Sequence, residues 1–300
     1  MKVMIGVDLG GTNIRVAKVD ENGKILQEIK SPSYAQESRE RVVENMKDLI
    51  HRIDGYDTCE GIGIGVPGPV NQVERKMTLS TNLPGFEGYP LAEEIEKEFH
   101  IPVYLENDAD VAGLAEAMVG AGKDYPIVFY TTLSTGIGGG LIVNKQVVSG
   151  RKGFGAEIAN IIIDRNRKAI NKLSAGAVEN EASGTNITRK ANELMGEKVF
   201  KHAGEVFNAA ERGNEDIQKL VEEATMDLAM MYATITATVA PDIFVLGGGM
   251  MQSKDSFLPK VIEKYQGLVH EQLRDTPFVE AKLAEPGVVG AAMLVLSRQK

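Results

Sequence analysis

The sequence has a single cysteine, Cys59, and no tryptophan in 300 residues. One thiol excludes an intrachain disulfide and any metal site built from several cysteines. A reducing cytoplasm is the expected setting. Basic residues are the minority: 33 Lys and Arg face 42 Asp and Glu, a net charge of -9. Nucleic acid is therefore not the expected partner, because neutralising phosphates takes clustered Lys and Arg. No apolar run approaches the ~20 residues of a membrane span, so no membrane association is expected. The first residues enter a strand pattern directly, without the layout of a signal peptide. What is present is ordinary globular composition, 43% hydrophobic and 25% charged. The length suggests two domains.

Glycine is plentiful, with 32 residues, and it clusters behind short apolar strands. Val3 to Val7 reads as a buried strand that runs into Asp8-Leu9-Gly10-Gly11-Thr12-Asn13 and then into the alternation of Ile14, Val16 and Val19. Paired glycines leave backbone N–H groups open to anions. An acidic residue beside them makes sense if a divalent cation stands between carboxylate and phosphate. Taken alone, this stretch fits a Mg²⁺–nucleotide site and a plain Gly-rich hairpin equally well. A second copy follows. Ile127 to Leu133 runs into Ser134-Thr135-Gly136-Ile137-Gly138-Gly139-Gly140 and then Leu141 to Val143. Two strand–turn–strand units about a domain apart suggest an internal duplication. A third apolar strand, Ile243 to Leu246, ends in Gly247-Gly248-Gly249. None of the three matches the P-loop or the Rossmann pattern, and the first two lead into strands rather than helices.

Helical spacing covers Glu37 to Ile53, Leu91 to Phe99, Ala109 to Val119, Asn214 to Ala240 and Val288 to Ser297. Gly61-Ile62-Gly63-Ile64-Gly65 reads as a strand open to close approach by a ligand or by another backbone. Ser80 to Phe86 reads as a polar loop. The short strand Val103 to Leu105 delivers Glu106-Asn107-Asp108 to its C-terminal end, where ligands sit in open α/β sheets. The domain boundary is placed in Gly120 to Pro126. This gives an N-terminal α/β domain at 1–120, with the C-terminal helix at 288–300 a candidate to join it, and a C-terminal α/β domain at 121–287.

These motifs carry a resemblance over nearly the whole chain. The sequence resembles the ROK family of sugar kinases and sugar-responsive repressors, within the actin-like, ribonuclease-H-like ATPase superfamily. Ile5 to Arg15 is similar to the first phosphate motif, Thr132 to Gly140 to the second, and Ile243 to Met250 to the adenosine motif. Glu106 to Ala109 matches the sugar and catalytic segment. Gly153 to Glu157 resembles the stretch leading into a Glu-x-Gly-His motif. Gly176 to Gly184 resembles a segment that normally reads Gly-Cys-x-Glu and ends in Ser-Gly. The resemblance implies an α/β fold of two ribonuclease-H-like (actin-like ATPase) domains with an interdomain cleft. It implies an ATP-dependent hexose kinase, with glucose to glucose 6-phosphate as the leading reaction. Kinases of N-acetylmannosamine, fructose, mannose or allose, or a non-catalytic sugar-sensing regulator, are the alternatives. The regulators carry an extra N-terminal helix-turn-helix domain, for which the strand beginning at Lys2 leaves no room.

Residue by residue, the resemblance makes Asp108 the general base. Asn82, Asn107, Asp108, Glu157, Asn160 and Glu179 would hold sugar hydroxyls. Asp8, Gly10, Gly11, Thr12, Thr135, Gly136 and Gly248 would hold ATP. Asp8 would hold Mg²⁺ directly or through water. Asn107 and Asp108 also suit a helix N-cap. A homodimer is the expected assembly. The chain departs from the family in one region. Where a zinc site of one His and three Cys is common, Asn160 replaces the His and Ala177 one Cys, so no zinc is expected. Between Glu157 and Glu179 stand Asp164, Arg165, Asn166, Arg167 and Lys168, which favour a solvated or ion-paired loop. Its expected packing residues are Ile161, Ile162, Ile170 and Leu173.

Overall fold

The computed structural model describes residues 1–80 and 82–299. Thr81, within the polar loop expected at 80–86, and Lys300, beyond the final helix, lie outside them. The first sheet is built from β1 (Val3–Leu9), β2 (Asn13–Asp20), β3 (Ile25–Pro32), β4 (Ile62–Val66) and, beyond a small hairpin of β5 (Val70–Asn71) and β6 (Lys76–Met77), β7 (Val103–Asn107). Its order is β3-β2-β1-β4-β7. β1, β2 and β3 pair antiparallel, whereas β4 joins β1 and β7 joins β4 in parallel. The second sheet comprises β8 (Ile127–Leu133), β9 (Ile137–Val143), β10 (Gln146–Val147), β11 (Ile243–Gly247) and β12 (Phe278–Glu280), ordered β10-β9-β8-β11-β12. Counted within each sheet, both orders are third, second, first, fourth, fifth. The duplication read from the two strand–turn–strand units is thus repeated in topology.

The helices are α1 (Arg39–His51), α2 (Leu91–Phe99), α3 (Asp108–Val119), α4 (Val178–Ala182), α5 (Gly184–Met195), α6 (Ala203–Glu211), α7 (Glu215–Val239), α8 (Lys254–Leu268) and α9 (Pro286–Arg298). Their limits follow from local chemistry. Ser38 caps α1 by accepting the Arg41 N–H at 3.1 Å, and Asn214 caps α7 by accepting that of Ile217 at 3.2 Å. Pro241, which cannot continue a helix, follows the left-handed Ala240 at the end of α7. One face of α1 buries Val42, Val43, Met46, Leu49 and Ile50 against Ile5, Val7, Ile14 and Val16 of the first sheet. Each such side chain stabilises the fold by about 1.5–3 kcal/mol.

Contacts divide the chain into two compact units: Met1–Tyr130 with Gly140–Ala156 and Ala281 onward, and Thr131–Gly139 with Glu157–Glu280. In the first, α9 lies directly on β1 and β4. A methyl group on Gly63 would sit 1.8 Å from the Ala291 carbonyl oxygen, and one on Gly6 2.0 Å from that of Val288. The glycines of β4 therefore admit another backbone. Among the described residues no helix is long and apolar enough to cross a membrane.

Candidate active site

In the first unit, sheet register gathers the candidate residues at one end. Asp8 of β1 lies opposite Gly65 of β4, and Gly65 opposite Glu106 of β7. The first glycine turn and the Asn107-Asp108 segment consequently leave the same ends of three neighbouring parallel strands, the position at which open α/β sheets bind ligands. The turn is closed by the Gly10 N–H donating to the Asn13 carbonyl at 2.9 Å. Thr12 and Asn13 are exposed at its tip. Gly11 abuts Asn82, whose carbonyl oxygen would meet a Gly11 methyl at 2.9 Å. One phosphate candidate and one sugar candidate thus share a contact. Burial pushes the Asp8 carboxyl above its ordinary value, and the Arg15 guanidinium across the ladder opposes this. Arg15 is itself ion-paired with Glu285.

Asn107 is the N-cap of α3, and its Oδ1 accepts the N–H groups of Ala109 at 2.9 Å and Asp110 at 3.3 Å. A ligand would therefore meet its Nδ2 group. Asp108 opens the helix and is exposed, with Oδ1 accepting the Ala109 N–H at 2.8 Å. The capping role and an accessible carboxylate thus fall on adjacent residues.

Directly beneath them lies Glu106, fully buried. Its Oε2 accepts from Gln72 Nε2 at 2.9 Å, Arg298 Nη2 at 3.1 Å and Ser149 Oγ at 3.2 Å, and its Oε1 from the Asn107 N–H at 3.1 Å. Burial pushes its carboxyl up to about 7, against the lowering pull of the Asn107 N–H, Arg298 and Ser149. The sequence motif at 106–109 does not by itself assign Glu106 a role. A carboxylate ending an apolar strand, Val103 to Leu105, was the available signal. Its partners lie 34, 43 and 192 residues away in the chain, beyond the reach of any local pattern.

In the second unit, the second glycine turn is closed by the Ser134 N–H donating to the Gly136 carbonyl at 2.9 Å. Glu179, at the start of α4, places Oε2 2.8 Å from the Ile137 N–H, which donates to it. A methyl on Gly136 would sit 2.6 Å from that same oxygen. The sugar candidate Glu179 is thus lodged against the second phosphate turn. Glu157 retains exposed surface, but the protein around its carboxyl raises its pKa, and the Glu179 carboxylate adds to the rise. Asn160 Oδ1 accepts the Ser174 N–H at 2.9 Å, so its Nδ2 side is the one left to a ligand.

Gly248, at φ +91°, is a conformation and a close approach that only glycine tolerates: a methyl there would lie 2.3 Å from the Leu133 carbonyl oxygen. This contact seats the third glycine run against the end of β8. Beside it opens a cleft of about 410 Å³, lined by Thr135 of the second turn, by Gly249 and Met250 of the third, and by Thr185, Lys201 and His202. Gly136 and Gly248 shape the cleft without lining it. Thr185, Lys201 and His202 carried no motif and were not anticipated. Gly184, which ends the Gly176–Gly184 segment, donates its N–H to the Ser134 carbonyl at 2.9 Å.

The loop between Asn160 and Glu179 is ion-paired, as its charges suggested, but it is not held by the expected apolar residues. Ile162 is 56% exposed, and Ile161, Ile170 and Leu173 are only half-buried. Its ends are instead tied by backbone bonds, Ile163 N–H to the Gly176 carbonyl and Val178 N–H to that of Ile161, both 2.9 Å. Its middle is tied by Arg167, whose guanidinium forms a two-pronged pair with Asp227, one arm at 2.9 Å. Apolar packing does not anchor the loop, because Ile162 faces solvent and the other expected residues are only partly covered. Among the described residues, no three His, Cys, Asp or Glu side chains are grouped to hold a metal ion.

The chain is 29% identical to a glucokinase of Thermotoga maritima, over 98% of each sequence. Its fold is similar to that of a ROK hexokinase from Thermus thermophilus, with a TM-score of 0.89, 29% identity and 99% of each chain covered. It is likewise similar to a ROK family glucokinase from Streptomyces griseus solved with glucose and AMPPNP, with a TM-score of 0.77, 27% identity, and 99% of this chain and 100% of that one covered. The model of the ROK family matches residues 4–298. The chain belongs to the ROK family.

Proposed function

We propose that this chain is an ATP-dependent sugar kinase, transferring the γ-phosphoryl group to a hexose hydroxyl, with glucose to glucose 6-phosphate the leading reaction. The observation that carries the reading is the cleft between the second and third glycine runs, which has the size of a small-molecule site and Thr135 on its wall. Adenosine would occupy it, with its phosphates at the turn of Gly136; Gly10, Gly11 and Thr12 are the phosphate candidates of the first unit. Asp8 fits a Mg²⁺ ion held through water: it is one partly buried carboxylate beside an N–H-rich turn, and Mg²⁺ commonly binds through one or two carboxylates plus substrate phosphates. When bound, the ion offsets phosphate charge.

Asp108 would accept the hydrogen bond, and finally the proton, of the sugar hydroxyl. In a loose phosphoryl-transfer transition state that proton leaves late, so the exposed Asp108 carboxylate acts chiefly by aligning the nucleophile. Asn82, Asn107, Glu157, Asn160 and Glu179 would hold the remaining hydroxyls, since amides and carboxylates present two polar atoms in one plane to vicinal diols. The reading includes two actin-like domains, 1–120 with 288–300 and 121–287. It also includes a homodimer in the cytoplasm. The acidic balance supports a small-molecule partner over nucleic acid.

The test is a coupled ADP-release assay across hexoses and amino sugars, with Mg²⁺ present. Release with at least one hexose is expected, and Asp108→Asn should lower kcat by roughly two orders of magnitude while sugar still binds. Silence across the panel would refute the kinase reading. Unchanged kcat in Asp108→Asn would remove Asp108 from its role.

A further inference from the structure

Arg167 stands on a loop with no fully buried residue between 161 and 175, yet its guanidinium faces three carboxylates. Asp227 of α7, 3% exposed at its side chain, takes the two-pronged contact. Glu181 of α4, 5% exposed, lies 3.2 Å from Nη1, and Asp164 of the loop itself 3.6 Å from Nε. Glu181 is paired in turn with Lys190 of α5. Two cations and three carboxylates thus join the loop to three helices. Hydrogen bonding to Asp227 raises the Arg167 pKa further, and burial raises that of Asp227 while Arg167 holds it down. Without Arg167, the buried Asp227 carboxylate would lose its direct cationic partner.

The clasp sits between the residues that flank it in sequence. Asn160 is bonded to Ser174 within the loop, and Asn180 Nδ2 donates to the Ser174 carbonyl at 3.3 Å. The backbone bonds of Ile161 and Ile163 to Val178 and Gly176 close the loop immediately before Glu179. Glu181, two residues beyond Glu179 on the same short helix, is the anchor that Arg167 grips. A five-residue helix cannot hold its own orientation, so the direction in which Glu179 points depends on what fixes α4 from outside.

We propose that Arg167 is a positioning residue for sugar recognition: by clasping Asp227 and Glu181 it fixes the 161–178 loop and the start of α4, and so sets Asn160 and Glu179 in place. The inference rests on the sugar-kinase reading above for the ligand, but not for the clasp. The geometry requires the forked guanidinium, because a lysine ammonium is a point charge that cannot make the paired contact with Asp227.

The experiment compares the full chain with Arg167→Met and Arg167→Lys, and with Lys190→Met, which loosens only the outer pair. Hydrogen exchange is followed over peptides spanning 161–178, urea unfolding reports global stability, and KM is measured for glucose, or for the best hexose of the panel, and for ATP. Arg167→Met should raise exchange in 161–178 selectively and increase the sugar KM roughly tenfold, the equivalent of about one lost hydrogen bond. The ATP KM should stay within about twofold. Arg167→Lys should fall between, and Lys190→Met should lie closest to the parent. Unchanged loop exchange in Arg167→Met overturns the clasp, whether or not any sugar is phosphorylated. Selective loop exchange with an unchanged sugar KM overturns the positioning role. Equal rises in both KM values with exchange raised throughout the chain would show a merely structural residue. If Arg167→Met does not fold, the same outcomes are read from Arg167→Lys. A parent chain that phosphorylates no sugar refutes the kinase reading, and with it the role assigned to Glu179, separately from the clasp.

Discussion

Glu106→Gln removes the charge at the foot of the Asn107-Asp108 segment while keeping its shape. Two intuitions about its effect on stability conflict. The carboxylate accepts four hydrogen bonds, one from Arg298, and breaking a buried pair usually destabilises by about 3–5 kcal/mol. Yet burial dominates its titration and lifts its pKa to about 7. A carboxyl whose folded pKa exceeds its unfolded value holds its proton more tightly when folded. Its cost to stability is absent at pH below the unfolded value near 4.5, grows as pH rises, and is complete above about 7. The parent should lose about 2–3 kcal/mol through this group between pH 5 and pH 8. The glutamine cannot titrate and should not show that loss. At pH 5, where the parent is largely protonated at this site, the two proteins should differ by only about 1 kcal/mol. At pH 8 the variant should have gained on the parent and equal or exceed it in stability. Urea unfolding of both proteins at half-unit pH steps measures this directly. Stability curves that run parallel from pH 5 to pH 8 would refute the reasoning, since they would mean that the four donors outweigh burial and that Glu106 titrates in the ordinary carboxylate range. Activity should move the other way. With its amide oxygen toward the donors of Gln72, Ser149 and Arg298, the variant turns its NH2 group on the Asn107 N–H, and the displaced segment carries Asp108. Its kcat should fall at every pH from 5 to 8.

Further outcomes follow from single contacts. Gly136→Ala puts a methyl 2.6 Å from Glu179 Oε2, so the carboxylate must retreat from the Ile137 N–H. Steady-state kinetics should show the sugar KM rising by roughly tenfold for the lost contact, although the altered residue lies in a phosphate turn; an effect on ATP alone would separate Glu179 from sugar recognition. Excess EDTA should abolish phosphoryl transfer and added Mg²⁺ restore it, with Asp8→Asn raising the Mg²⁺ requirement. Elemental analysis of protein purified without a histidine tag should find no stoichiometric zinc; activity recovered only on adding zinc would overturn this expectation.

Much of the fold was legible because its signals are local. Apolar alternation gave the strands of both strand–turn–strand units, and helical spacing gave α1, α2, α3, α7 and α9 to within a few residues. The repeat of strand, glycine turn and strand anticipated two sheets of one topology. The glycines of β4 were correctly read as a place of close approach, but sequence could not tell a ligand from a backbone. The structure supplies the backbone of α9, 228 residues further on at Ala291 against Gly63. A glycine records only that something comes near.

The candidate site was legible as a set of residues rather than as a set of contacts. Glu179 looked like a sugar residue on a remote segment, and nothing in its neighbours indicated that its carboxylate would rest on the N–H of Ile137, 42 positions earlier. The same limit applied to the 161–178 loop. Its isoleucines invited an apolar anchor, and its charges could equally have been solvated. What decides between these is whether a buried carboxylate elsewhere lacks a cation. Asp227 lies in a stretch of α7 whose neighbours Ala224, Leu228 and Met231 are buried, so its side chain enters the core face of the helix. An ionised carboxylate there is costly unless paired. Arg167 meets that demand, and the loop is ordered as a consequence. Hydrophobic periodicity marks α7 as amphipathic, and the one acidic residue on its apolar stripe is the sequence signal that a partner cation must arrive from another element. Such a mismatch shows that a clasp exists before it shows which residue closes it.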